Sequence, residues 1–204
     1  KGIVGTLIIL LSLCFVSFHL YTGYYGSLEV FYQRSIHLLM GLILVYLIVL
    51  QNTKTKLGVF FSIIALAGVI CSISYIYINY DWVAFRRYGF VTPMKPIEII
   101  LGLALVALVV DAVRRHIGMV MVYVIAFFMV YPFIGPYLPG VLQTRRIAWM
   151  DILDLMYLQT AGIFGVPLGV SATVVALFVI FGAFITATGT GTMLFDLSAA
   201  MVGK

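Results

Sequence analysis

Charged residues fall in short clusters along this chain, and the runs between the clusters are long and apolar. Six runs have the length and character of membrane-spanning helices: Ile3 to Tyr21, Ile36 to Leu50, Leu57 to Tyr80, Ile97 to Val113, Ile117 to Phe133 and Leu168 to Ala187. The second and fourth are short for a bilayer, and Arg34, Lys54, Arg114 and Arg115 beside them can snorkel to head-group level. Tyr21, Tyr24, Tyr25, Tyr77, Tyr80, Trp82, Tyr131 and Tyr137 gather at the ends of runs, where amphipathic rings prefer the membrane interface. The pattern predicts an all-α, polytopic transmembrane protein with about six spans plus interfacial helices, and no soluble domain.

Two connections carry their own pattern. Asp81 to Pro96 mixes Trp82, Phe85, Tyr88 and Phe90 with Arg86, Arg87 and Lys95, which predicts a short interfacial helix and a turn in the head-group layer. Arg145 to Thr160 follows the breaker Gly135-Pro136-Tyr137-Leu138-Pro139-Gly140. At 100° per residue, Trp149, Ile152, Leu153, Met156 and Tyr157 fall on one arc while Asp151 and Asp154 fall opposite, so this segment reads as a helix lying along the membrane surface.

Leu155 to Phe195 has no charged side chain but is broken twice, at Gly162 to Pro167 and at Thr188-Gly189-Thr190-Gly191-Thr192. As one straight helix it would rise about 60 Å, roughly twice the hydrocarbon thickness of a bilayer, so it is not a single span. Gly165, Pro167, Ser171 and Thr173 at the entry of the last span have two readings. One is close helix packing with the hydroxyls bonded back to their own helix. The other is a broken helix whose freed backbone groups line an ion or substrate path.

Composition agrees with a membrane protein: of 204 residues, 64% are hydrophobic and 9% charged, against about 25% charged in soluble domains. The net charge of +5 sits in the short connections, which suits phospholipid head groups and gives no case for nucleic acid. If spans alternate, Lys1, Lys54, Lys56, Arg114 and Arg115 share one face, while Arg34, Arg86, Arg87, Lys95, Arg145 and Arg146 share the other. Charge counting leans towards the second group as cytoplasmic. Cys14 and Cys71 lie inside apolar runs and read as small buried hydrophobes. A first residue other than Met, and an apolar pattern still running from Met193 to Lys204, lead us to expect that the polypeptide belongs to something larger.

Ionisable residues inside spans are functional candidates by default. Glu98 follows Pro96 in a first helical turn, where a carboxylate suits the helix dipole, and Asp111 has Arg114 and Arg115 at i+3 and i+4, so local structure accounts for both. His19 and His37 lie on the same membrane side of a helical hairpin and together could ligate a haem or a metal, although imidazoles near head groups need no ligand role. His116 is juxtamembrane. Spaced metal-ligand motifs, a nucleophile elbow and a phosphate loop are all lacking, so neither an enzyme nor a cofactor in this portion is expected.

Gly162-Ile163-Phe164-Gly165-Val166-Pro167-Leu168-Gly169-Val170-Ser171-Ala172-Thr173, followed by Leu177 to Phe184, closely resembles the start of the large subunit of fused permeases of tripartite ATP-independent periplasmic (TRAP) transporters. The likeness extends through Phe133 to Gly140, Asp111 to Arg115 and Thr92-Pro93. It is to the subclass whose four-span small subunit is fused to the large subunit and paired with a TAXI-type periplasmic binding protein. The resemblance implies a division into residues 1–115 as the small subunit, 116–144 as a linking span and loop, and 145–204 as the arm helix and first span of the large subunit. It implies a scaffold that serves sodium- or proton-driven uptake of organic acids across a prokaryotic inner membrane, with the N-terminus and the Lys54/Lys56 loop cytoplasmic. That orientation is preferred to the one from charge counting. Ion- and substrate-binding residues are expected on re-entrant hairpins beyond residue 204, so none is transferred here.

Overall fold

The computed structural model describes residues 2–202, which form helices joined by short turns, without strands. The first four long helices are α1 (Gly2–Tyr25), α2 (Val30–Asn52), α3 (Lys56–Ile78) and α4 (Pro96–His116), followed by α5 (Met119–Ile134). A nine-residue arm, α6 (Trp149–Tyr157), then leads through a turn into α7 (Val166–Val170), a π-helical turn over Ser171–Val175, α8 (Ala176–Ala187) and α9 (Thr190–Val202). Six helical stretches are long and apolar enough to cross a membrane, the last running continuously over Val166–Ala187. The chain is therefore an all-α, multi-pass membrane protein.

Local chemistry sets several boundaries. Glu29 caps α2, its Oε2 accepting from the amides of Phe31 at 2.9 Å and Tyr32 at 3.3 Å. Thr55 caps α3 through Gly58 N. Gly118, at φ +114°, supplies the left-handed turn that lets α5 follow α4 after two residues. The helices run past the charge-free windows: α2 begins six residues before Ile36, because Gln33, Arg34 and Ser35 are helical with polar groups satisfied inside the protein. The arm is shorter than the expected 145–160 segment.

Helix α2 packs on α1, α3 and α4, α3 packs on α4, and α4 receives α5 on one flank and the arm α6 on another. The last span returns to α1 and α2. Tyr46, Val69, Ile73, Leu105, Tyr157 and Phe164 are among the buried residues that join these elements in one core. Gly23 marks the close approach of α1 to α8, since a Cβ there would stand 2.9 Å from a methyl of Leu177. Large apolar side chains such as Ile9, Leu13, Phe60, Phe127 and Phe178 point outwards, as lipid contact requires.

Three sequence expectations are corrected. Cys14 and Cys71 are exposed, since α1 and α3 are apolar around their whole circumference and composition alone does not say which face is inside. Asp154 does not face solvent opposite the apolar arc, because α6 is pressed into the bundle and buries Leu153, Asp154 and Tyr157 together. Arg87 is likewise buried instead of lying among head groups. The connection otherwise has the expected form, a short helical turn over Trp82–Arg86 followed by a turn.

Candidate functional site

The buried polar groups concentrate towards the end of the bundle where α1 finishes and α2 and α4 begin. The arm is fastened there by Asp154. One carboxylate oxygen forms a buried ion pair with Arg87, and the other accepts from Phe90 N at 2.9 Å and Gln159 Nε2 at 3.1 Å. Arg87 also donates to Thr92 O at 3.1 Å, which closes its loop around the pair. Phe90 adopts a left-handed φ of +64°, a conformation held by the bond from its own amide to Asp154. Beside this anchor Tyr157 donates to Ser72 O at 2.6 Å, and Gly102 leaves space for its ring. Burial drives the Tyr157 phenol well above the ordinary tyrosine range, with Tyr75 and Glu98 adding to the effect.

Glu98 is wholly buried. Its Oε2 accepts from Lys95 N at 2.8 Å, the helix-start role expected from Pro96. Its Oε1 accepts from Tyr75 Oη at 3.0 Å and Trp82 Nε1 at 3.1 Å, contacts that sequence spacing did not reveal. Lys95 lies over the Trp82 ring at 4.1 Å. At the other end of α4, Asp111 binds Arg114 and Arg115 as expected, and also receives Tyr46 Oη from α2 at 3.3 Å.

A second buried cluster joins α1, α2 and the last span. His37 Nδ1 and His19 Nε2 are 3.0 Å apart, and His37 Nε2 lies 3.2 Å from Ser171 Oγ. Gln33 Nε2 donates to Ala172 O at 2.9 Å and Thr22 Oγ1 at 3.3 Å. Ala172 lies in the π-helical turn, where the altered bonding register gives carbonyls other partners than an α-helix would. His19 Nδ1 is buried without a hydrogen-bond partner. Arg34 reaches over the entry of the last span, donating to Phe164 O at 2.7 Å and Thr160 O at 3.2 Å.

The histidines are thus brought together, but their geometry does not fit a haem. Two axial imidazoles stand about 4 Å apart across the metal, twice a metal–nitrogen bond, with the macrocycle between them. Here a direct contact fills that space, with ring centroids 5.0 Å apart and planes at 68°. Among the described residues no group of three or more His, Cys, Asp or Glu side chains is placed to hold a metal.

The four residues at the entry of the last span have separate surroundings. Gly165 donates to Gly162 O at 2.9 Å, in a turn so tight that a Cβ would stand 2.6 Å from Ala161 O. Pro167 occupies the first turn of α7, where its missing N–H costs nothing. Thr173 bonds back to Gly169 O at 2.9 Å, whereas Ser171 reaches across to His37. The helix is re-registered at Ser171–Val175 and is not unwound.

Fold and polar layer together define a multi-pass helical membrane protein whose arm and last span are locked to a bundle. No family model matches the chain, nor does any curated protein or solved structure.

Proposed function

We propose that this chain is the scaffold part of a TRAP-type secondary transporter in a prokaryotic inner membrane. In this reading the assembled permease imports organic acids delivered by a TAXI-type periplasmic binding protein, driven by a sodium or proton gradient. Residues 1–115 act as the small subunit, 116–144 as the linking span and loop, and 145–204 as the arm and first span of the large subunit. The identity rests on the resemblance of Gly162–Thr173 and its flanking motifs.

One structural observation carries the scaffold role. The arm is joined to α3, α4 and their connection through Asp154–Arg87 and Tyr157–Ser72, and the following span is joined to α1 and α2 through Gln33–Ala172 and Arg34–Phe164. Both halves of the proposed fusion are therefore pinned by buried and partly buried polar bonds, as a stationary frame requires. A moving element would be poorly served by contacts that cost several kcal/mol to break. No reaction is assigned to the chain, and no ion or substrate ligand is placed on it.

Uptake by proteoliposomes tests this directly. The complete gene product with its binding protein should accumulate an organic acid under an imposed sodium or proton gradient, and residues 1–204 alone should accumulate none. Uptake by residues 1–204 would overturn the scaffold assignment, and failure of the complete product across organic acids and both gradients would overturn the transport reading.

A further inference from the structure

Helix α5 buries none of its residues and packs against the long helices through α4. Between α5, α4 and the arm lies a groove of about 750 Å³. Its walls include Val106, Val109, Val124, Phe128, Ile152 and Met156. Along α5 the lining runs from Val124 to Pro132, about 12 Å at 1.5 Å per residue, close to the roughly 15 Å depth of one leaflet's hydrocarbon.

One end of this groove is charged. Arg145, Arg146 and Asp151 line it together with Pro132, the last-turn proline of α5. Arg146 and Asp151 also line the adjoining recess with Pro136 and Tyr137, which places them at the loop end. The loop is built to put them there. Thr144 N returns to Gly135 O at 3.1 Å and Tyr131 Oη donates to Leu142 O at 2.9 Å, so the chain folds back beside the end of α5. Arg146 keeps one bond, to Tyr137 Oη at 2.9 Å. Among the described residues neither Arg145 nor Asp151 forms a side-chain hydrogen bond or ion pair, although both line the same rim.

We infer that the groove is a binding site for an aminophospholipid of the phosphatidylethanolamine type: one acyl chain lies along Val124 to Pro132, the phosphodiester meets Arg145 and Arg146, and the primary ammonium meets Asp151. An apolar channel one leaflet deep takes a chain that would otherwise leave its walls without contacts. Two guanidiniums suit a phosphate, and the nearby carboxylate suits a headgroup that also carries a positive charge. Phosphatidylglycerol satisfies the arginines but offers Asp151 an uncharged glycerol in place of an ammonium, and so forgoes the ion pair. The site is independent of the transport reading.

Native mass spectrometry of the chain, delipidated and then offered equal phosphatidylethanolamine and phosphatidylglycerol in mixed micelles, tests the inference. The wild-type chain should retain phosphatidylethanolamine preferentially, and Arg145→Gln with Arg146→Gln should weaken retention about tenfold, while Lys54→Gln with Lys56→Gln at the opposite end leaves it unchanged. Asp151→Asn should abolish the preference between the lipids. If the arginine variant fails to fold, Val124→Trp, which obstructs the chain slot and spares the rim, should release the lipid instead. The inference is overturned by retention insensitive to the rim and slot variants, or by a wild-type preference for phosphatidylglycerol.

Discussion

Asp154 on the arm and Arg87 in the α3–α4 connection form an ion pair with both side chains almost wholly removed from solvent. The carboxylate has further donors in Phe90 N and Gln159, while Arg87 Nε is left without a partner. Removing either charge strands the other in a poorly solvated site. Asp154→Asn or Arg87→Gln should each lower unfolding stability by about 3–5 kcal/mol, and the double variant should lose clearly less than the sum. Denaturation in mild detergent, followed by tryptophan emission, measures this cycle.

The His19–His37 contact predicts a different signature. Truncating one ring to Ala leaves a buried ring nitrogen without its partner and should cost about 1–3 kcal/mol beyond the lost packing. Replacing both with Phe, among the surrounding Phe15 and Phe18, should cost less than either truncation. Haemin added to the purified wild-type chain should give no six-coordinate bis-histidine spectrum. Such a spectrum would show that the two helices separate far enough to admit the macrocycle.

Gly162 and Gly165, in the turn into the last span, should tolerate no side chain. A Cβ on Gly162 would collide with the backbone of Leu155 and Met156, and one on Gly165 with Ala161 O at 2.6 Å. Gly162→Ala and Gly165→Ala should each destabilise by about 2 kcal/mol or more. Gly182→Ala, in α8 where a Cβ meets nothing within 4 Å, should instead be neutral or stabilising by up to about 1 kcal/mol. Melting temperatures of the three variants in one detergent provide the comparison.

Part of the alkaline sensitivity should trace to the arm. The Tyr157 phenol titrates higher when folded than when unfolded, so its contribution is complete below the ordinary tyrosine value of about 10 and is lost as pH rises from there through the folded value. Tyr157→Phe removes this dependence along with the bond to Ser72 O. The stability gap between wild type and variant should therefore narrow above about pH 10 in pH-stepped denaturation.

Topology is also testable. With six alternating spans, the Thr53–Thr55 connection and the Asp81–Lys95 connection lie on opposite faces of the membrane. Single cysteines at Lys54 and Arg86, in a background with Cys14 and Cys71 replaced by Ser, should react with an impermeant maleimide from opposite sides. Labelling of both from one side would remove a span from the architecture.

Much of this architecture was readable along the chain because a bilayer imposes a coarse rule: about 20 apolar residues, charges at the ends. The bond of Glu98 to Lys95 N and the pairs of Asp111 with Arg114 and Arg115 were equally readable, since those partners lie within about one helical turn, whereas Tyr75, Trp82 and Tyr46 come from other elements. Arg87 and Asp154 were not, being 67 positions apart, with each read as a surface charge on its own segment. For His19 and His37 only a shared membrane side was legible. Their contact, and the link to Ser171 134 residues from His37, depends on how the last span seats against α1 and α2.

The amino-acid order alone determined that the chain is helical, crosses a membrane about six times and breaks between the arm and the last span, because helix length, hydropathy and glycine or proline chemistry act locally. Tertiary packing decided which faces are buried, which polar groups meet across helices and where a groove opens beside α5. Spans that are apolar on every side carry little preference for one face over another. Their rotation is set by the few buried polar groups that must find partners, and those partners come from distant parts of the chain.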